Sequence, residues 1–289
     1  MNKSLVASVR ARLKNVFDPN VHKDNMNLLK KYALERLLYK LSQSQHAEQF
    51  VLKGAMLFSL WADTPHRTTQ DIDLLGYGDI DIAAMEKAFR DICAVPDSDS
   101  GLEFDPESVK GEDIKDMDLY NGIRIKMKAM LGNSPLVLQV DIGFGDAVVI
   151  ELVEEEYPTL LDLPAPKVKA YQKQTVIAEK VEAMVDLGFD NSRMKDFFDI
   201  NHLVEAYDLN TVEVTESIRS TFERRGTEIP SEVPVALTDQ FYDDEGKVKQ
   251  WAAFVKKKAP QDAPDLRTVM VNIKDYVMPI FEGIKEKTD

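Results

Sequence analysis

The sequence predicts an α+β protein: a mixed-sheet lobe with N-terminal helices over residues 1–163, followed by a helical lobe over 164–289. Three observations carry this. In "LYNGIRIKMKAML", Ile123, Ile125 and Met127 alternate with Arg124, Lys126 and Lys128. In "PLVLQVDIGFGD", Leu136, Leu138, Val140 and Ile142 alternate with Gln139 and Asp141. This period of two marks half-buried strands. Strands and helices interleave in the first half, whereas the chain beyond about residue 174 shows only helical spacing. Between the halves, "LLDLPAPKVKAY" (160–171) carries Pro164 and Pro166 and breaks the periodicity, which suits a domain boundary.

The remaining elements follow in order. Residues 25–43, "NMNLLKKYALERLLYKLSQ", place Leu29, Tyr32, Leu37 and Leu41 at helical spacing. "EQFVLKG" reads as a short strand ending at Gly54. "AMLFSLWA" reads as a helix with Met56, Leu57, Leu60 and Trp61 on one face. "DIDLLGYG" reads as a strand closed by a Gly-Tyr-Gly turn, and residues 80–94 as a helix. Residues 95–118 are acidic and rich in turn formers; a short strand or an edge hairpin fits there. Their spacing does not match a twelve-residue calcium loop. Helices are expected at about 174–188, 193–206, 210–224, 245–258 and 265–286.

Composition narrows the function classes. The chain has 289 residues, 44% of them hydrophobic and 30% charged, the balance of a globular protein. No apolar run reaches the length of a membrane span. The N-terminal stretch reads as an amphipathic helix and not as a secretory signal. The single cysteine, Cys93, excludes an internal disulfide framework and a cysteine-based zinc site. A cytoplasmic protein without membrane contact is expected. The net charge of −14 means that any nucleic-acid contact must use a local basic patch. Candidates are the Arg124, Lys126 and Lys128 strand face, Arg224 with Arg225, and the run Lys256–Lys258.

The chemistry centres on "KGAMLFSLWADTPHRTTQDIDLL", Lys53 to Leu75. Side chains at i and i+2 of a strand point the same way, so Asp71 and Asp73 converge. Two neighbouring carboxylates repel unless a cation sits between them or one is protonated. Mg²⁺ takes one or two carboxylates plus substrate phosphates, so the pair suits a metal–nucleotide site; a solvated strand end is the plain alternative. Gly54 at a helix mouth lets the backbone approach a phosphate, with Lys53 and Arg67 as nearby cations. Asp141, on a later strand, could complete a two-ion site or cap the "GFG" turn. In the helical half, Lys180 stands beside an apolar stripe, where a lysine either snorkels to solvent or serves a buried anion. Asp196 and Asp199 share a helix face.

In their order and spacing, these blocks resemble the DNA-polymerase-beta-like nucleotidyltransferase fold. "FVLKGAMLF…HRTTQDIDLL", "IAEKVEAM" and "SRMKDFFDI" together resemble the AbiEii/AbiGii toxin family, which includes the MenT toxins; "STFERRGTEIP" and "QWAAFVKK" extend the resemblance. It runs from about Tyr32 to the final helices. It implies a nucleotidyltransferase lobe and a helical lobe with the active site between them. It further implies Mg²⁺, up to two ions, on Asp71, Asp73 and Asp141, and an NTP substrate bound by Lys53, Gly54, Ala55 and Arg67. Lys180 and Asp196 correspond to residues of the catalytic set. The acceptor it implies is RNA, with the tRNA 3′ end foremost. The setting is a toxin–antitoxin or abortive-infection phage-defence system whose antitoxin is a winged-helix repressor. One departure is Ala55, where many relatives have Gly or Ser: alanine offers backbone N–H contacts but no hydroxyl. Two other readings stay open. One is a catalytically weak nucleotide-binding partner acting by association. The other is an Asp-x-Asp phosphohydrolase, against which the polar "RTTQ" before the pair counts.

Overall fold

The computed structural model describes residues 3–18, 24–62, 69–78, 80–114, 122–146, 148–259 and 262–286. The chain divides into two compact units, Met1–Gly145 with Val153–Ala170, and Asp146–Leu152 with Tyr171–Asp289.

The first unit is built on a seven-stranded mixed sheet. Its strands are β1 (Phe50–Lys53), β2 (Ile72–Gly76), β3 (Leu102–Ile114), β4 (Gly122–Leu131), β5 (Ser134–Phe144), β6 (Val153–Glu156) and β7 (Lys167–Ala170), in the order β3-β4-β5-β2-β1-β7-β6. β2 runs parallel to β5 and antiparallel to β1. The alternation seen in the sequence sorts the two faces. Ile123, Ile125, Val140, Ile142, Ile72, Leu74 and Leu52 are all buried. Their register places them on one face; the opposite face carries Lys53, Asp73, Asp141 and Arg124. Helices α1 (Lys3–Asn15), α2 (Asn25–Ser42) and α4 (Ile82–Ala94) complete the unit.

Two elements differ from expectation. The acidic stretch holds a full edge strand, β3, broken by a register shift between Asp105 and Lys110. Its charge is tolerated because only one edge is paired and β4 supplies cations opposite it, as in Lys126–Glu112. The helix expected after Gly54 is a 3-10 segment, Gly54–Leu57, running into a four-residue helix α3 (Phe58–Trp61). Ala55, Met56, Leu57 and Phe58 are buried in succession, so the segment is enclosed and has no single apolar face. The boundary stretch also contains β7.

Helix α2 buries charge as well as leucines. Arg36 is fully buried, forming a two-point pair with Asp97 at 3.0 Å and donating to the Pro164 carbonyl at 2.8 Å. Lys40 donates to the carbonyls of Cys93 and Val95, closing the C-terminal end of α4. Glu35 accepts the Leu160 amide at 2.7 Å, while its second oxygen has no hydrogen-bond partner. Burial raises its carboxyl from the ordinary 4.5 to about 7, against the lowering effect of the Leu160 amide and Arg36. The folded state therefore holds the proton more tightly than the unfolded chain. Glu35 loses stabilising effect as pH rises from about 4.5 to about 7, by about 3 kcal/mol at most. Glu35→Gln is expected to flatten this slope, gaining on the wild type between pH 5 and pH 8. Urea unfolding at both pH values checks it; parallel wild-type and variant profiles would contradict it.

The second unit is helical: α5 (Lys173–Leu187), α6 (Met194–Ala206), α7 (Thr211–Arg225), α8 (Asp239–Tyr242), α9 (Glu245–Lys258) and α10 (Leu266–Lys285). The long helices fall within a residue or two of the expected spans, and Asn210, Asp244 and Asp265 cap α7, α9 and α10 through their side chains. Aromatic pairs such as Phe222–Phe281 and Phe197–Phe241 bind the helices together.

Candidate functional site

Each unit holds one group of the candidate residues. In the first, three strand partners align across the sheet: Lys53 lies opposite Asp73, and Asp73 opposite Asp141. On the far side of Asp141 the partner is Arg124. Partners in register share a face, so the row reads cation, carboxylate, carboxylate, cation. Asp71 precedes β2 by one residue and its Oδ1 accepts the Thr69 hydroxyl at 2.7 Å.

Gly54 is the hinge of the arrangement. Its φ of +72° is left-handed, and a Cβ placed there would lie 1.9 Å from Asp73 Oδ2. Glycine is therefore required twice, for the backbone conformation and for the space Asp73 occupies. The carboxylate of Asp73 lies directly against the turn from β1 into the 3-10 segment. This turn is too short to act as the helix mouth the sequence suggested. Ala55 is buried, so its contribution to a ligand is limited to backbone.

Asp141 is closely held. Arg124 Nε and Nη2 donate to its two oxygens, each at 2.8 Å, and Gln139 Nε2 lies 3.2 Å from both. Arg124, expected on an RNA-facing strand surface, is thus the partner of a candidate metal ligand. Asp71 and Asp73 fit a single Mg²⁺ by their donor type, leaving its other positions to water and phosphate. Among the described residues, no three His, Cys, Asp or Glu side chains gather as a metal-binding group. Arg67 lies outside the described residues.

The second group is in the helical unit. Lys180, in mid-α5, reaches Asp196 and Asp199 of α6, the latter at 2.9 Å. One ammonium thus serves two buried carboxylates, with Asp199 fully buried. Burial alone would raise the Asp196 carboxyl; the attraction of Lys180 and Lys195 outweighs it and holds it below the ordinary range. Lys180 is therefore a lysine serving buried anions, and Asp199, which helical spacing put on the face of Asp196, shares it.

Arg225 was a candidate for an RNA-binding surface; the structure places it elsewhere. It is largely buried, bonded to Glu182, 3.4 Å from Asp146 and 4.0 Å from Glu179. Thr227 donates to Glu182 and Tyr171 to Asp146, satisfying the remaining carboxylate oxygens. Arg224, Lys256 and Lys257 are exposed. No helix among the described residues is long and apolar enough to cross a membrane.

Comparison with curated protein sequences gave no match. Among solved structures, the chain is similar to JHP933 from Helicobacter pylori, with a TM-score of 0.52 at 14% identity over 92% of this chain and 96% of that one. It is also similar to a candidate nucleotidyltransferase from H. pylori, with a TM-score of 0.51 at 14% identity over 91% and 98% of the two chains. At this identity the likeness establishes the fold. The model of the AbiEii nucleotidyl transferase toxins, of type IV toxin–antitoxin systems, matches residues 36–272. That span includes Lys53, Asp73, Asp141, Lys180 and Asp196, and the chain belongs to the AbiEii family of nucleotidyltransferase toxins.

Proposed function

We propose that this protein transfers the nucleotide of an NTP to the 3′-hydroxyl of an RNA, foremost a tRNA 3′ end, with Mg²⁺ bound by Asp71 and Asp73. The observation that carries the reading is the fit of Asp73 against Gly54, between Lys53 and Asp141. It sets the Asp73 carboxylate against a backbone turn that admits no side chain. The RNA 3′-hydroxyl oxygen attacks the α-phosphorus and gives up its proton to water, the bond from that phosphorus to the β-phosphate bridging oxygen breaks, and pyrophosphate leaves with the electron pair. A bound Mg²⁺ would supply charge neutralisation at the triphosphate. Asp71 and Asp73 would hold and orient it, and Lys53, opposite Asp73, would add positive charge beside it. Most of the acceleration then comes from positioning and charge stabilisation. Lys180, paired with Asp196 and Asp199, is the second requirement.

Family membership implies a cognate antitoxin. We read it as a separately encoded winged-helix repressor, with the pair acting in phage defence in the cytoplasm. An adjacent gene of that type would support this.

The test is incubation of the full chain with each α-labelled NTP, Mg²⁺ and total tRNA. Label is expected on tRNA with at least one NTP, and Asp73→Asn should lose it by about 1,000-fold, a loss of the size seen when a group that stabilises transition-state charge is removed. No label with any NTP, or equal labelling by Asp73→Asn, would overturn the reading. Lys180→Ala is expected to lose transfer too. Its unfolding should be measured in parallel, because it leaves Asp196 and Asp199 without their shared cation.

A further inference from the structure

Asp141 is poorly placed to act as a metal ligand, because its oxygens are already engaged. An ionised carboxylate offers about four lone-pair sites. Two contacts come from Arg124 at 2.8 Å and two from Gln139 at 3.2 Å, which accounts for them. The pairing is built into the backbone. Arg124 stands directly opposite Asp141 in the β4–β5 hairpin, whose register runs unbroken from Leu131↔Ser134 to Gly122↔Gly143. Both side chains are a third or less exposed, at 32% and 19%, so water screens the pair only in part. A two-point Arg–carboxylate pair is among the stronger side-chain contacts, and a guanidinium does not give up its proton. A divalent ion binding Asp141 would have to break both bonds and sit beside that fixed positive charge.

We propose that Arg124 is the built-in second cation of this site. It holds Asp141 as a positioning residue, and the chain takes one divalent ion, on Asp71 and Asp73, together with its NTP. The inference rests on the nucleotidyl-transfer reading of the site given above. It assigns to a side chain the charge that two-metal phosphoryl-transfer sites obtain from a second ion.

Ion counting tests it without turnover. The full chain is saturated with the α,β-methylene analogue of each NTP and titrated with Mn²⁺, and bound ions are counted by electron paramagnetic resonance. One ion per bound nucleotide is expected for the wild type and for Arg124→Lys, which keeps the charge. Arg124→Gln frees Asp141 and should bind a second ion at least tenfold more tightly than the wild type does. Two ions in the wild type, or no tightening in a folded Arg124→Gln variant, would overturn the proposal. Should the variants not fold, the wild-type count alone decides. An ion bound no more tightly than by the free analogue, with Asp73→Asn identical to wild type, would overturn the nucleotidyl-transfer reading as well.

Discussion

Gly54→Ala is expected to abolish nucleotidyl transfer while leaving the sheet intact. The new methyl would fall 1.9 Å from Asp73 Oδ2 and 2.6 Å from its Cγ, so one of them must move. The φ of +72° adds backbone strain of about 1–2 kcal/mol for a residue with a Cβ. The affordable response is rotation of Asp73 away from its place opposite Lys53 and Asp141. A displacement of about 1 Å at a positioned group costs about 100-fold in rate, and loss of the carboxylate from the ion site costs more. The expectation is a fall of at least about 100-fold in transfer with a far-UV spectrum like that of the wild type. Ala55→Gly changes the neighbouring residue without touching Asp73, and should retain most activity. Equal activity of Gly54→Ala and wild type would contradict the placement of Asp73.

Arg225→Ala carries the largest expected loss of stability. It leaves Glu182 and Asp146, each only 4% exposed, without their cation. Breaking a buried ion pair from one side costs about 3–5 kcal/mol, because the remaining charges stay buried. For a unit of this size that lowers the unfolding midpoint by on the order of 10 °C. Arg224→Ala, next along the chain and exposed, should change stability by less than about 0.5 kcal/mol. Thermal unfolding of the three proteins checks the contrast. A small, equal effect from both substitutions would show that Arg225 is the surface cation its sequence suggested.

Much of the fold was legible because burial follows period. β4 and β5 show alternation from end to end, and α5, α6, α7 and α10 repeat apolar residues at helical spacing. β3 was legible only as a short strand or an edge hairpin, because the acids Asp105, Glu107 and Glu112 mask the alternation of an edge strand thirteen residues long. β7 is four residues long and follows two prolines, too short for a period to register. Helix α2 shows a further limit: Arg36 and Glu35 are buried through partners more than sixty residues away, which no local pattern contains.

The candidate site divides in the same manner. That Asp73 and Asp141 lie on the face opposite Leu74 and Ile142 follows from strand alternation, whereas Asp71 stands one residue before β2. The role of Arg124 was within reach. The two residues Gly132 and Asn133 turn β4 into β5, pairing Leu131 with Ser134, and counting back along the hairpin sets Arg124 opposite Asp141. Arg225 was not within reach, since a buried arginine at a helix end looks like an exposed one until its carboxylates are located. Gly54 could be suspected as a turn glycine, but its need to make room for Asp73 exists only in three dimensions.

The most direct test of the account compares NTP labelled at the α-phosphate with NTP labelled at the γ-phosphate, using the acceptor RNA and wild-type protein. The account predicts that α-label becomes covalently bound to RNA while γ-label leaves as pyrophosphate, and that Asp73→Asn abolishes both. Transfer of γ-label to the RNA, or its release as orthophosphate without labelling of RNA, would contradict it.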